Sequence, residues 1–247
     1  MHKVTEETRE LRERIFEYVR TRMEFDPIPL DSPKTEAQLF AEAGMTLTEE
    51  GLGGEVALKL FEEVLAPATV STDHPGFVSF IPNAPTEASS LFDLVVSASS
   101  IYGGSWLEGA GAVFAENQVL RWFANEVGLP ASAGGNFVQG GTIGNLSALV
   151  TARHSHREQL KSQGIVPPSK LSFIASRESH SSLKAAARVM DCEIVLAEPT
   201  EGGRLTAESV AKALDSCEPH SVFAIVATSG TTNFGIVDDL SGIGRLA

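Results

Sequence analysis

Apolar residues at Leu11, Ile15, Tyr18, Val19 and Met23 recur at helical spacing, with Glu6, Glu7, Glu10, Glu13 and Arg14 between them, so the chain opens with an amphipathic helix. A Pro-, Asp- and Ser-rich stretch follows from Asp26 to Pro33. Val56, Leu60, Phe61, Val64 and Leu65 then form a second helical stripe, closed by Pro67. Three prolines and a glycine make His74 to Pro85 extended and irregular. Two further helices are predicted over Thr86–Ser100 and Ala112–Val127, the latter ending at Gly128-Leu-Pro130.

After Gly134 the pattern changes to short apolar runs separated by helical stripes. The runs are Asn136–Gln139, Leu171–Ala175, Glu193–Ala197 and Val222–Thr228; the helices between them are Ile143–Glu158, Ser181–Met190 and Thr206–Leu214. Strands alternating with helices predict an α/β fold with a mostly parallel sheet, preceded by an N-terminal helical segment. A further helix begins near Ser241, so the sheet is expected to be incomplete at Ala247, as in a fragment or in one chain completed by another.

Composition narrows the function classes. The 32 acidic residues against 19 Lys and Arg give a net charge of −13, which argues against nucleic-acid or anionic-membrane binding. At 43% hydrophobic and 21% charged the chain is globular. The uncharged run from Gly128 to Ala152 is broken by polar residues and does not read as a membrane span. The charged first residues lack the apolar core of a secretory signal, so a cytoplasmic location is expected. Cys192 and Cys217 form no CxxC pair and read as ordinary thiols.

Chemistry concentrates in three places. In Asn136-Phe-Val-Gln-Gly-Gly-Thr-Ile-Gly-Asn145 a short run meets a helix through Gly140-Gly141-Thr142. Glycines permit close backbone approach, the first helical N–H groups face an anion, and the Thr142 hydroxyl adds a donor. The segment is either an anion cradle or a bare turn; Gly141 stands where a P-loop needs lysine, which argues against a nucleoside triphosphate. His180, in Ser179-His180-Ser181-Ser182, follows a strand and lies on the rim where open α/β sheets bind ligands. Its ring is suited to stacking on a planar cofactor or moving a proton; alternatively it is solvated while Ser179 or Ser181 caps the helix. Thr228-Ser-Gly-Thr-Thr232-Asn follows another strand onto the same rim. His154 and His156 lack ligand partners at metal spacing and read as a solvated helix end. Asp238-Asp239 reads as a helix cap rather than paired catalytic carboxylates.

Taken in order, these pieces resemble the first part of the pyridoxal-phosphate-dependent group II amino acid decarboxylases. The resemblance is carried by His74-Pro-x-Phe77 with Phe80-Ile-Pro82, by Trp122 to Pro130, by Gly140-Gly-Thr-x-x-Asn145-Leu-x-Ala-Leu-x-x-Ala-Arg153, by His180-Ser-Ser-x-Lys-Ala185 and by Ala227-Thr-x-Gly-Thr-Thr232. It implies a fold-type I architecture, with residues 1–73 a helical segment for dimer packing and 74–247 the first part of the large cofactor-binding domain. It also implies pyridoxal 5'-phosphate as cofactor, decarboxylation of an L-amino acid, and a homodimer or a complementary C-terminal chain bearing the Schiff-base lysine. Gly141, Thr142, Ile143, His180 and Thr232 would contact the cofactor, His180 would be catalytic, and Phe80, Pro82 and Asn83 would border the substrate. Phe77, Phe80 and Ile81 tilt the substrate toward an apolar or aromatic side chain. The family's aspartate and lysine motifs would lie beyond Ala247, and the lysines present sit outside that context. The resemblance leaves open a related carbon-carbon lyase or aldehyde synthase, and a noncatalytic regulatory half.

Overall fold

The computed structural model describes residues 3–80 and 83–247. They fall into two compact units, Met1–Ile101 and Tyr102–Ala247. This division comes later than the 73/74 boundary expected from the motifs, because the helix at Glu87–Ala98 groups with the N-terminal helices.

The first unit is helical: α1 (Glu6–Met23), α2 (Glu36–Ala43), α3 (Gly54–Leu60), which runs on into a π-helical turn (Phe61–Leu65), and α4 (Glu87–Ala98). Side-chain hydroxyls set three of the starts. Thr5 and Thr35 form capping boxes with Thr8 and Gln38, and Thr86 accepts the Ser89 amide. The helix α2 was not expected from the sequence, although Thr35-x-x-Gln38 is its signature. Gly54 lies against Leu11, where a β-carbon would overlap the leucine side chain. Arg22 donates from Nη2 to both oxygens of Asp73, at 3.0 and 2.9 Å, tying α1 to the segment before His74. The His74 ring folds back on its own turn, its Nδ1 accepting the Gly76 amide at 2.9 Å. No described residue of this unit is buried, and large apolar side chains such as Phe16, Phe40, Val56 and Phe92 are exposed.

The second unit holds the sheet. Its elements are α5 (Trp106–Glu126), α6 (Gly140–Ser162), β1 (Ser172–Ser176), α7 (Ser182–Met190), β2 (Glu193–Ala197), α8 (Ala207–Asp215), β3 (Val222–Ile225) and α9 (Leu240–Gly244). The strands are parallel in the order β2-β1-β3. The central strand β1 is buried along its whole length, as a parallel strand covered on both faces must be. Alternation then divides the core. Phe173 and Ala175 pack with Leu149, Leu183, Ala187, Met190 and Phe223 on the side of α6 and α7. Ile174 packs with Ala197, Leu205, Val210, Ala213 and Ile243 on the side of α8 and α9.

Two expectations need correction. The run Asn136–Gln139 is not a strand: the Phe137 amide donates to Glu116 Oε1 at 2.7 Å and the Gly140 amide to the Val138 carbonyl at 3.0 Å, so side-chain and turn bonds engage these groups instead of a strand ladder. The helix expected to begin at Ala112 begins at Trp106, because Ser105 caps it, and it kinks at Gly109, where a β-carbon would collide with the Tyr102 carbonyl.

Candidate functional site

The helix α6 starts without a side-chain cap. Among the described residues, the amides of Gly141, Thr142 and Ile143 make no bond outside their own helix. Gly140 has φ +79°, which explains that glycine on backbone grounds alone. Gly141 has no such reason: its φ is not positive, and a β-carbon there would meet nothing within 4 Å. All four residues from Gly140 to Ile143 are exposed. Two glycines, an exposed hydroxyl and the positive end of a 23-residue helix therefore face open space, which is the electrostatics of an anion site.

His180 stands between β1 and α7, beyond the carboxyl end of the central strand. Neither neighbouring serine caps α7: Ser181 makes no capping bond, and the Ser179 hydroxyl is buried with no partner among the described residues. The imidazole takes that role instead. Its Nδ1 accepts the Ser182 amide at 3.2 Å and lies 2.9 Å from the Ser182 hydroxyl. A nitrogen that accepts an N–H carries no proton, so the neutral ring holds its proton on Nε2. The ring is exposed, whereas Ser182 beneath it is buried.

Ser182 also receives a bond from α6. The Asn145 amide donates to its hydroxyl at 2.9 Å, which places the open first turn of α6 beside the start of α7. Two of the sequence-predicted groups, Gly141-Thr142-Ile143 and His180, are thus joined through Asn145 and Ser182. Both bridging residues lie within the sequence motifs, where local pattern alone assigns neither a task.

The loop after β3 lies at the same edge of the sheet, since β3 runs parallel to β1. Within it Thr231 is buried, accepting the Ile236 amide on its hydroxyl at 3.1 Å, and Thr232 is exposed. Asp238 is buried at 2% exposure and accepts two amides, Leu205 at 2.9 Å and Thr228 at 2.8 Å. It holds this loop to the segment before α8, and Asp239 caps α9, so the acidic pair divides between two structural tasks. His156 is half-buried and bonds the His220 carbonyl at 2.8 Å, which fastens α6 to the turn before β3; His154 is exposed. Burial, the dominant cause, pushes the Cys192 thiol above its ordinary range; Arg153 opposes the shift and Asp191 adds to it.

Of the expected substrate residues, Phe80 and Asn83 belong to the first unit and are exposed, Phe80 with φ +60°. Pro82 and the adjacent Ile81 lie outside the described residues.

A family profile described as "Pyridoxal-dependent decarboxylase conserved domain" matches residues 48–247. An aromatic-L-amino-acid decarboxylase from Bacillus atrophaeus is 31% identical over 179 residues, covering 70% of this chain and 36% of the relative. An L-2,4-diaminobutyrate decarboxylase from Rhizobium meliloti (strain 1021) is 28% identical over 207 residues, covering 81% of this chain and 40% of the relative. The chain therefore spans well under half the length of these two proteins. In three dimensions it is similar to a crystal structure of Oryza sativa TDC with PLP and tryptamine, with TM-score 0.84 at 20% identity, covering 100% of this chain and 54% of that one. The likeness gives the fold, that of the fold-type I enzymes.

Proposed function

The chain belongs to the pyridoxal-dependent decarboxylase family, and from that membership we propose that it supplies the phosphate cradle and the ring-facing histidine of an L-amino acid decarboxylase. The observation that carries this reading is the uncapped, glycine-lined start of α6, coupled through Asn145 and Ser182 to His180.

The residues present fit pyridoxal 5'-phosphate. Glycine at position 141, unexplained by packing or backbone conformation, leaves room for a dianion to reach the amides of Gly141, Thr142 and Ile143. The buried Ser179 hydroxyl, one residue before His180, has a donor and acceptors to spare. When bound, the cofactor supplies an electron sink for the charge left at the α-carbon as carbon dioxide departs. Thr142 would donate its hydroxyl to the phosphate, His180 would present a flat face to the ring and hold a proton at Nε2, and Thr232 would offer its exposed hydroxyl at the same edge of the sheet. Phe80, Pro82 and Asn83 are the proposed substrate border, and the exposed Phe80 favours an apolar side chain.

The proposed division of labour assigns residues 1–73 to dimer packing and 74–247 to cofactor binding. The exposed apolar surface of α1 to α4 supports a helical partner, either a second copy or a complementary chain that brings the Schiff-base lysine. No helix among the described residues is long and apolar enough to cross a membrane. A cytoplasmic enzyme is the proposed setting.

The test is carbon dioxide release from a panel of L-amino acids by the native assembly, with its subunits identified by intact mass. Turnover that requires pyridoxal phosphate is expected. A native assembly that neither binds pyridoxal phosphate nor decarboxylates any amino acid would overturn the reading.

A further inference from the structure

We infer that Asn145 and Ser182 form a relay that fixes the proton of His180 on Nε2, making both of them positioning residues for the proposed cofactor-facing imidazole. The inference deepens the proposed function and rests on it for its purpose, but the relay itself is a property of this chain's own hydrogen bonds.

The direction of each bond is set by chemistry. The Asn145 Nδ2 has only hydrogens to offer, so at 2.9 Å it donates to Ser182 Oγ. With a lone pair engaged in that bond, the Ser182 hydroxyl has its own hydrogen left for an acceptor, and His180 Nδ1 lies 2.9 Å away. The Ser182 amide points at the same nitrogen from 3.2 Å. Both donors meet Nδ1, the hydroxyl being the nearer and the amide the longer contact, so the direction in which the Ser182 hydroxyl points decides which ring nitrogen carries the proton. Ser182 is 4% exposed, so its hydroxyl finds little water to substitute for these partners, while the ring above it is exposed. The imidazole is thus anchored on one nitrogen and open on the other. That is the arrangement needed if Nε2–H is to meet a bound group in a fixed tautomer and a fixed plane.

The relay makes a prediction that packing alone does not. Asn145 is not among the hydrogen-bond partners of His180, yet Asn145→Asp, which preserves size and shape, replaces the donor by a carboxylate that attracts the Ser182 hydroxyl hydrogen. Ser182 then turns its lone pairs toward His180, and Nδ1–H becomes the favoured partner for Oγ.

The experiment is nitrogen-detected NMR of the imidazoles in the folded protein, with the His180 signals assigned by their loss in His180→Gln. In the parent, His180 Nδ1 is expected at the shift of an unprotonated ring nitrogen, and Ser182→Thr, which keeps the hydroxyl, should leave it there. In Asn145→Asp it should move toward the shift of a protonated nitrogen as the Nδ1–H tautomer gains population. An unchanged His180 pattern in a folded Asn145→Asp protein, judged by its backbone amide spectrum, would overturn the relay. Added pyridoxal 5'-phosphate gives the separate readout of the cofactor reading: shifts of the Gly141 to Ile143 amides support it, and their absence in the native assembly counts against it without touching the tautomer result.

Discussion

The carboxylate of Asp238 accepts the backbone amide of Leu205 at 2.9 Å, with both residues almost wholly removed from solvent. Its second oxygen takes the Thr228 amide at 2.8 Å, so one side chain fastens the loop after β3 to the entry of α8. The Leu205 amide, fully buried, has no solvent to turn to.

Asp238→Asn should therefore be destabilising although it is nearly isosteric. The new NH2 group faces one of the two amides, leaving that donor without its acceptor, at a cost of about 1–3 kcal/mol. Asp239→Asn, at the N-cap of α9, should change stability by only a few tenths of a kcal/mol, roughly, because asparagine caps as well as aspartate. Urea unfolding of the two variants checks the contrast.

Gly141 separates folding from binding. Because a β-carbon there meets nothing within 4 Å, Gly141→Ala should leave the fold intact or stabilise it by up to about 1 kcal/mol, while obstructing the approach of a phosphate. Gly140→Ala, forced to φ +79°, should cost about 1 kcal/mol by itself. Thermal unfolding alongside pyridoxal 5'-phosphate titration distinguishes the two.

Thr142→Val removes one hydroxyl from the proposed phosphate contacts. Loss of a hydrogen bond to a charged group, about 1.5–3 kcal/mol, predicts roughly ten- to a hundredfold weaker cofactor binding. His154→Ala, an exposed side chain more than three turns further along α6, should bind as the parent does. Equal affinities for all three proteins would reduce the Gly-Gly-Thr turn to a turn.

Cys192 supplies a pH signature. Burial favours its protonated form, with Asp191 adding and Arg153 opposing, so the thiolate fraction at any pH is below that of an unhindered thiol. The folded state gains from the neutral thiol below the ordinary thiol range, and that gain is lost as pH rises through the raised value. Alkylation by iodoacetamide should climb at higher pH than in a short peptide of the same sequence. Asp191→Asn should bring the curve down in pH and Arg153→Met should raise it.

Glu116→Ala should free the Phe137 amide, which donates to it at 2.7 Å just ahead of the Gly-Gly-Thr turn. Hydrogen exchange at Phe137 should quicken with little change at Phe173 in the sheet core.

What the sequence determined by itself was everything encoded within a few residues. Periodicity at Leu11 to Met23 and at Val56 to Leu65 locates helices, alternation after Leu171 locates parallel strands, and Gly140-Gly-Thr142 opens a helix, because these depend on backbone preference and on one face of an element seeking an apolar neighbour. The order of motifs was sufficient to identify the family. Asn136–Gln139 misled because an apolar run becomes a strand only where a neighbouring strand offers its backbone, and here Glu116 and the Val138 carbonyl engage the amides instead. Thr231 and Thr232 are indistinguishable as text, and the fold alone buries one and exposes the other. Asn145 and Ser182, 37 residues apart, meet only because α6 and α7 pack on the same face of β1. Asp238 could be read as a cap until Leu205, 33 residues earlier, was brought within reach of its carboxylate. Long-range hydrogen bonds of this kind leave no local periodicity, so the tertiary structure alone decided which polar side chains hold the site and which are free to use it.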